Sequence, residues 1–402
     1  MRILISGAGI AGPTLAYWLA HYGFTPTIVE RSPRLRTGGY IIDFWGAGFD
    51  VAERMGLLPE LSQKGYRVRE VRVVNSEGER VAGFHATSFA EATGGRFLSL
   101  PRGDLAAAIF GRIGGGVETI FHDTIASVEQ HGAGVHVTFE RSCERDFDLV
   151  VGADGLHSPL RALVFGRERR FERYLGYKVA AFEAGGYRPR DELVYMMYTQ
   201  IGQQVARFSM NGDRTMFLFT MADDVASIPL DLEAQKRVLR QRFEHSGWEC
   251  APILRALDAT SDLYFDRVSQ IRMGQDGERW TRGRVALIGD AAFCVSLLAG
   301  EGSGLAMVAA YILAGELRRA NGDYTQAFSR YKTVFAPFVQ GKQEAARYLA
   351  RAFAPRSGVE LFLHNQFFNL LSNPWIVRLA FARGLKDNIM LPEYDQNTAK
   401  PS

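Results

Sequence analysis

The chain opens with an apolar run, Ile3-Leu4-Ile5, which predicts a strand over residues 2–6. Over residues 11–22 the spacing becomes helical, with Leu15, Trp18 and Leu19 on one face, and Thr25 to Glu30 predicts a second strand. This is the βαβ pattern of a parallel sheet. Helices are expected near Gly48 to Met55 and over Leu105 to Arg112. Strands are expected at Glu118 to His122, at the alternating Val135 to Phe139, and at a buried run from Asp148 to Gly152.

Between Gly176 and Met221 the character changes. Four β-rich runs (Tyr177 to Glu183, Glu192 to Thr199, Val205 to Met210, Thr215 to Met221) are separated by Gly185-Gly186, Gly202 and Asn211-Gly212-Asp213. They predict an antiparallel sheet inserted into the α/β frame. Asp231 is placed to cap a helix through Glu244 that Gly247 stops. Asp262 to Met273 and Arg284 to Ile288 predict strands returning to the first domain. Beyond Gly304 the pattern is helical, with breaks or kinks expected at Pro337, Pro355 and Pro374 and a polar tail fraying from about Pro392. The aromatic segment Phe362 to Phe381 is expected to pack across the first domain.

Two motifs almost a whole chain apart carry the chemistry. Gly7-Ala8-Gly9-Ile10-Ala11-Gly12 sits between the first strand and the first helix, where such a motif cradles a dinucleotide pyrophosphate. Gly7 suits the tight turn, Gly9 the close approach of phosphate, and Gly12 the helix–strand contact. Glu30, ending the second strand, stands where a carboxylate accepts bonds from ribose hydroxyls. Far downstream, Gly289-Asp290-Ala291-Ala292 follows another apolar strand and precedes a Gly-rich stretch. A cofactor touched at both points is long, and FAD fits better than NAD.

Composition narrows the partners. The chain has 402 residues and is 47% hydrophobic, ample for a sizeable core. Its 47 basic and 44 acidic residues nearly balance, so bulk charge does not favour nucleic acid. Cys143, Cys250 and Cys294 form no disulfide framework and no metal-ligand spacing, which favours a reducing compartment. The strand at Arg2 leaves no room for a signal peptide, and no apolar stretch is long enough to span a bilayer. A cytoplasmic monomer or homodimer without stable membrane insertion is expected.

Four further segments converge: Arg36-x-Gly38-Gly39, Pro101-Arg102-Gly103-Asp104-Leu105, Gly152-Ala153-Asp154-Gly155-x-x-Ser158-x-x-Arg161, and Gly289-Asp290-Ala291-Ala292 leading to Gly300-x-Gly302. With the N-terminal motif, they make roughly residues 1–340 resemble the FAD-dependent aromatic hydroxylases, single-component flavin monooxygenases typified by para-hydroxybenzoate hydroxylase. Through Arg36-x-Gly-Gly-x-x-x-Asp43 the chain is most similar to the branch of tetracycline-inactivating monooxygenases and aromatic polyketide hydroxylases. The resemblance implies a Rossmann-like FAD-binding domain over residues 1–175 and 271–340. It also implies a substrate domain over 176–270 that takes in part of 68–100, and a helical segment and tail over 341–402.

By position, the resemblance implies FAD contacts from Gly7, Gly9, Ala11, Gly12, Glu30, Arg31, Arg36, Asp43, Arg102, Asp154, Gly155, Gly289, Asp290, Gly300, Gly302, Ser303 and Gly304. NADPH or NADH is the implied transient reductant. One atom of molecular oxygen then passes to an electron-rich ring or enol of a small aromatic or polycyclic substrate. Met197, Arg207, Phe217, Phe219 and Leu297 are the candidate pocket residues. Alternatives stay open. Asp154 suits a cap on the following turn, Arg102 and Arg161 suit surface ion pairs, and the scaffold also suits a flavin reductase or a flavoprotein that merely sequesters its ligand. One departure stands out. Phe293 replaces the family's His, and Ser296 and Leu297 stand at its Pro positions, which is expected to alter pocket polarity and free a backbone donor.

Overall fold

A computed structural model describes residues 1–35, 40–87, 91, 93–274, 280–373, 375–377, 387 and 389–395. Among them the first sheet has six strands, in spatial order Thr281–Arg282, Val285–Leu287, Leu149–Gly152, Arg2–Ser6, Thr25–Glu30 and Glu118–Phe121. Arg2–Ser6 pairs in parallel with Leu149–Gly152 on one side and Thr25–Glu30 on the other. Layers on both faces of this sheet bury Ile3, Leu4, Ile5, Leu149, Val150 and Val151 completely, which is why these runs lack alternation. Each such side chain contributes about 1.5–3 kcal/mol of apolar burial. The Ala11–His21 and Gly302–Arg319 helices pack together, Trp18 meeting Tyr311 edge to face at 4.8 Å between ring centroids.

The second sheet has seven strands among the described residues. Their order is Tyr264–Ile271, Glu172–Gly185, Arg214–Ala222, Gln203–Met210, Val194–Gln200, Glu70–Val74 and Arg80–His85. It is antiparallel except where Val194–Gln200 runs parallel to Glu70–Val74. Leu232–Phe243, capped by the Asp231 carboxylate on Ala234 N, and Cys250–Ala259 cover one face. The other face looks towards the first domain.

Several expectations change. The Tyr324–Phe353 helix runs through Pro337 without ending, because Phe335, Ala336 and Val339 anchor the turns around it in the core. It ends just before Pro355, while Pro374 lies outside the described residues. The Gly358–Leu370 helix lies over Arg80–His85 of the second sheet rather than across the first domain, with Phe368 against Phe84. The tail does not fray at Pro392. Tyr394 is buried against Gly315 and donates to Glu316 Oε1 at 2.7 Å, while Arg54 holds Glu393 at 2.6 Å.

A charged cluster joins the two domains. His157 contacts Glu168 at 2.9 Å and Asp266 at 3.1 Å, and Arg267 reaches Glu168 at 2.8 Å and also Glu172. Arg161 is fully buried, not a surface partner. It donates to Leu156 O at 2.6 Å, Ala291 O at 2.9 Å and Glu168 at 2.8 Å. Hydrogen bonds to Asp266 and Glu168 raise His157 to about 9. Because the folded value lies above the unfolded one near 6.5, this stabilisation is complete below about pH 6.5 and lost as pH rises through about 9. Thermal midpoints measured from pH 6 to 9.5 should therefore fall less steeply in His157→Gln than in the parent. Parallel curves would refute the coupling.

Candidate cofactor and active site

At the end of the first strand the backbone turns through Gly7, at φ +107°, where a Cβ would lie 2.5 Å from Ala153 O. A Cβ on Gly12 would collide with the Gly7 carbonyl, so strand and helix touch backbone to backbone. Gly9 differs. A Cβ there meets only the Arg102 guanidinium, at 3.6 Å, leaving a gap between a bare backbone and a cation. The Ala11–His21 helix begins here with no side-chain cap, and Ala11 lies in its first turn beside Gly289. Uncapped N–H donors, a positive helix end and Arg102 fit a pyrophosphate. Glu30 is buried and accepts from Ala8 N and Ser32 N at 2.8 Å each, pinning the cradle to the second strand. Arg31 is exposed at the start of the following loop.

The second motif touches the first where Gly289 meets Ala11, and beyond that contact it opens on a cavity. Tyr40, Ile42, Tyr264, Asp290, Leu297 and Gly300 line about 60 Å³ of it, together with Gly302 and Ser303. Burial raises Asp290, opposed by Arg102, and pushes Tyr40 up to about 12, with Arg102 and Asp290 acting on it in opposite senses. Thus Tyr40 and Asp290, far apart in sequence, line one space, and the Arg102 charge acts on both. Asp43 accepts from Ser99 Oγ at 2.5 Å, and burial holds its carboxyl above the usual range although its side chain keeps open surface. Asp43 lines a second cleft with Trp45, Gly48, Gly300 and Gly304. The Gly302–Arg319 helix starts at this cleft without a side-chain cap, and Gly304 crosses Gly48 with a 3.6 Å Cβ contact. These donors and carboxylates suit the ribityl chain and ring edge of FAD.

Asp154 stands beside the cradle, its Cα 3.0 Å from where a Cβ on Gly7 would lie, and accepts from Ser158 Oγ at 2.5 Å and Leu160 N at 3.0 Å next to the Ser158-capped Pro159–Val164 helix. Arg36 lies outside the described residues, with Gly38 and Gly39.

Strand parity corrects three pocket residues. Phe217 and Phe219 are fully buried among the two covering helices, stacked on Phe182 and edge-on to Phe243 respectively. Arg207, on the same face, is held by Asp191 at 2.7 Å and Glu249 at 2.8 Å and has no surface free for a ligand. Met197 and Leu297 do belong to the opposite side. There Tyr195, Leu218 and Tyr264 join Tyr40 and Ile41, Leu218 and Leu297 both pack on the cluster around Val179 and Leu298, and Phe368 packs on the cluster that holds Met197. Residues flanking each misplaced one were the better choice, and the parity of a single helix-covered position would have found them.

The departures at Phe293 and Ser296 also resolve. Phe293 turns away from the cavity into Trp280 and Phe335, at 5.0 and 5.2 Å between centroids, so pocket polarity does not depend on it. The Ser296 backbone donor is directed at the Cys294 sulfur, and Ser296 Oγ accepts from Leu298 N at 3.2 Å.

A dinucleotide cradle, a second carboxylate-bearing loop and an apolar sheet above them define an FAD-binding flavoprotein. The sequence profile described as FAD binding domain matches residues 1–323. An uncharacterized protein of Mycobacterium tuberculosis (strain ATCC 25618 / H37Rv) is 40% identical over 348 residues, 85% of this chain and 91% of that protein. A flavin-dependent monooxygenase of Legionella longbeachae is 32% identical over 99% of both chains. The crystal structure of tetracycline destructase Tet(55) superposes with a TM-score of 0.82 at 32% identity, covering 98% of each chain. This chain belongs to the FAD-dependent aromatic hydroxylase family and is an FAD-dependent monooxygenase. Among the described residues no helix is long and apolar enough to cross a membrane.

Arg102→Ala should weaken FAD binding by roughly tenfold to a hundredfold, the worth of a charge-assisted hydrogen bond. Flavin fluorescence titration of the apoprotein reads this directly, and an unchanged affinity would remove Arg102 from the site.

Proposed function

We propose that this enzyme consumes NAD(P)H to hydroxylate a flat phenolic or polycyclic enolic substrate of the tetracycline or aromatic-polyketide kind. One observation carries the reading. Tyr264 and Leu297 line the cofactor cavity, and behind them the sheet face packs as an apolar and aromatic layer of Tyr195, Met197, Met216 and Leu218. Similarity to Tet(55) supports the same substrate class.

When bound, FAD supplies the chemistry, activating molecular oxygen and delivering one atom to the substrate. This chain's residues prepare the space. The apolar face orients a planar ligand and excludes water, and Phe368 of the Gly358–Leu370 helix closes its outer side. Tyr40 and Tyr195, whose hydroxyls burial keeps protonated, supply neutral donors beside a substrate enol. Ser99 donates to Asp43 and so holds that carboxyl at the rim.

The decisive test is product mass spectrometry with FAD-loaded protein, NADPH, ¹⁸O₂ and a panel of tetracyclines and simple phenols. One labelled oxygen on a tetracycline is expected. A label only on a small phenol would move the substrate class, and NADPH consumption without labelled product would overturn hydroxylation of the panel. The two sheet faces separate by mutation. Leu218→Trp should raise the substrate KM at least tenfold with FAD content intact. Phe219→Ala should cost about 3–5 kcal/mol of stability and leave KM unchanged. The opposite pattern would reverse the assignment of faces.

A further inference from the structure

A second large cavity lies outside the flavin site. Where Glu172–Gly185 pairs with the edge strand Tyr264–Ile271, the register slips between Tyr174 and Lys178. The slack backbone there opens a cleft of about 840 Å³, closed on its far side by the Tyr324–Phe353 helix and the first turn of Gly358–Leu370. Arg173, Arg272, Arg347 and Arg356 line it, with the rings of Tyr174 and Tyr177.

The charges there are incompletely matched. Asp224 pairs with Arg356 at 2.9 Å, and Glu344 is shared between Arg272 at 3.0 Å and Arg347 at 3.4 Å. Glu360 accepts the Arg356 backbone N–H, at 2.6 Å, instead of a guanidinium. Arg173 has no carboxylate partner among the described residues and donates only to Glu172 O, at 2.9 Å. Several guanidinium forks beside aromatic rings suit phosphate oxygens and a stacked base, and the volume falls in the range of nucleotide-sized ligands.

The cleft shares a wall with the flavin cavity. Ser269 lines the flavin side, and its neighbour Gln270 lines the cleft. Gln270 Nε2 donates to Val295 O at 2.7 Å and Gln343 O at 2.8 Å, locking this wall to the loop that carries Leu297 and Gly300. The one Gly-x-Gly-x-x-Gly βαβ unit of the sequence is committed to FAD, so a second dinucleotide needs a surface of another kind. We infer that this arginine cleft docks the phosphate-bearing adenosine end of the nicotinamide dinucleotide. The inference rests on the NAD(P)H-consuming monooxygenase reading above.

The test uses FAD-loaded protein and the double variant Arg173→Glu/Arg347→Glu, both exposed side chains, with FAD content and thermal midpoint as folding checks. Calorimetric titration with NADP⁺ and with adenosine 2′,5′-bisphosphate should show binding to the parent and at least tenfold weaker binding to the variant. The KM for NADPH should rise in step while kcat and the organic-substrate KM hold. Equal binding by parent and variant, a rise confined to the organic-substrate KM, or inorganic pyrophosphate binding as tightly as NADP⁺ would overturn the inference. A dithionite-reduced sample mixed with oxygen and substrate keeps the two questions apart. Product there sustains the monooxygenase reading even if the cleft fails, and absence of product counts against that reading alone.

Discussion

Backbone touching backbone is the constraint from which the rest follows. Gly12 lies on the Gly7 carbonyl, Gly7 on Ala153, and Gly48 on Gly304, each closer than a side chain permits. The first contact sets the angle at which the Ala11–His21 helix leaves the sheet. The second brings the end of Leu149–Gly152 to the cradle, and the third presses the Gly302–Arg319 helix against Gly46–Arg54. Two uncapped helix ends thereby look into one space, with Arg102 and Asp290 beside them. One added methyl group at any of these crossings displaces a helix, and with it the uncapped donors that look into this space.

The space so made is electrostatically unfinished. Burial disfavours both Asp43 and Asp290 as anions, and Arg102, Cys294 and Arg161 offset this only in part at Asp290. Carboxylates in that condition are costly unless hydroxyl or amide donors meet them. The ribityl hydroxyls and ring edge of FAD are groups of that kind, which is why these two carboxylates suit the cofactor.

The first domain was legible because its chemistry and its burial coincide. Parallel strands covered on both faces read as unbroken apolar runs, and the glycines stand where only glycine fits. The second sheet was legible as strands but not as faces. In Tyr195-Met196-Met197-Tyr198 every position is apolar or aromatic, since helices cover one side and the cofactor domain lies on the other. Without alternation nothing in the sequence tells Leu218 from Phe219. The Cys250–Ala259 helix was missed although Cys250, Ile253, Leu254 and Leu257 keep helical spacing, because it starts only three residues after the glycine taken as a stop. The destination of Phe293 depended on Trp280 and Phe335, contacts that local pattern does not encode.

The docking of Tyr394 on Gly315 has a consequence for how the molecule is made. The cofactor domain gathers segments near residues 2–30, 149–152, 285–319 and 391–395, and His21 meets Asp395 at 3.2 Å. The hairpins between Glu172 and Ala222, by contrast, are contiguous. During synthesis the hairpins of the second sheet can pair before residues 285–319 of the first have been made. The cradle closes only once those residues join it, so the cavity takes shape beneath hairpins that are already paired.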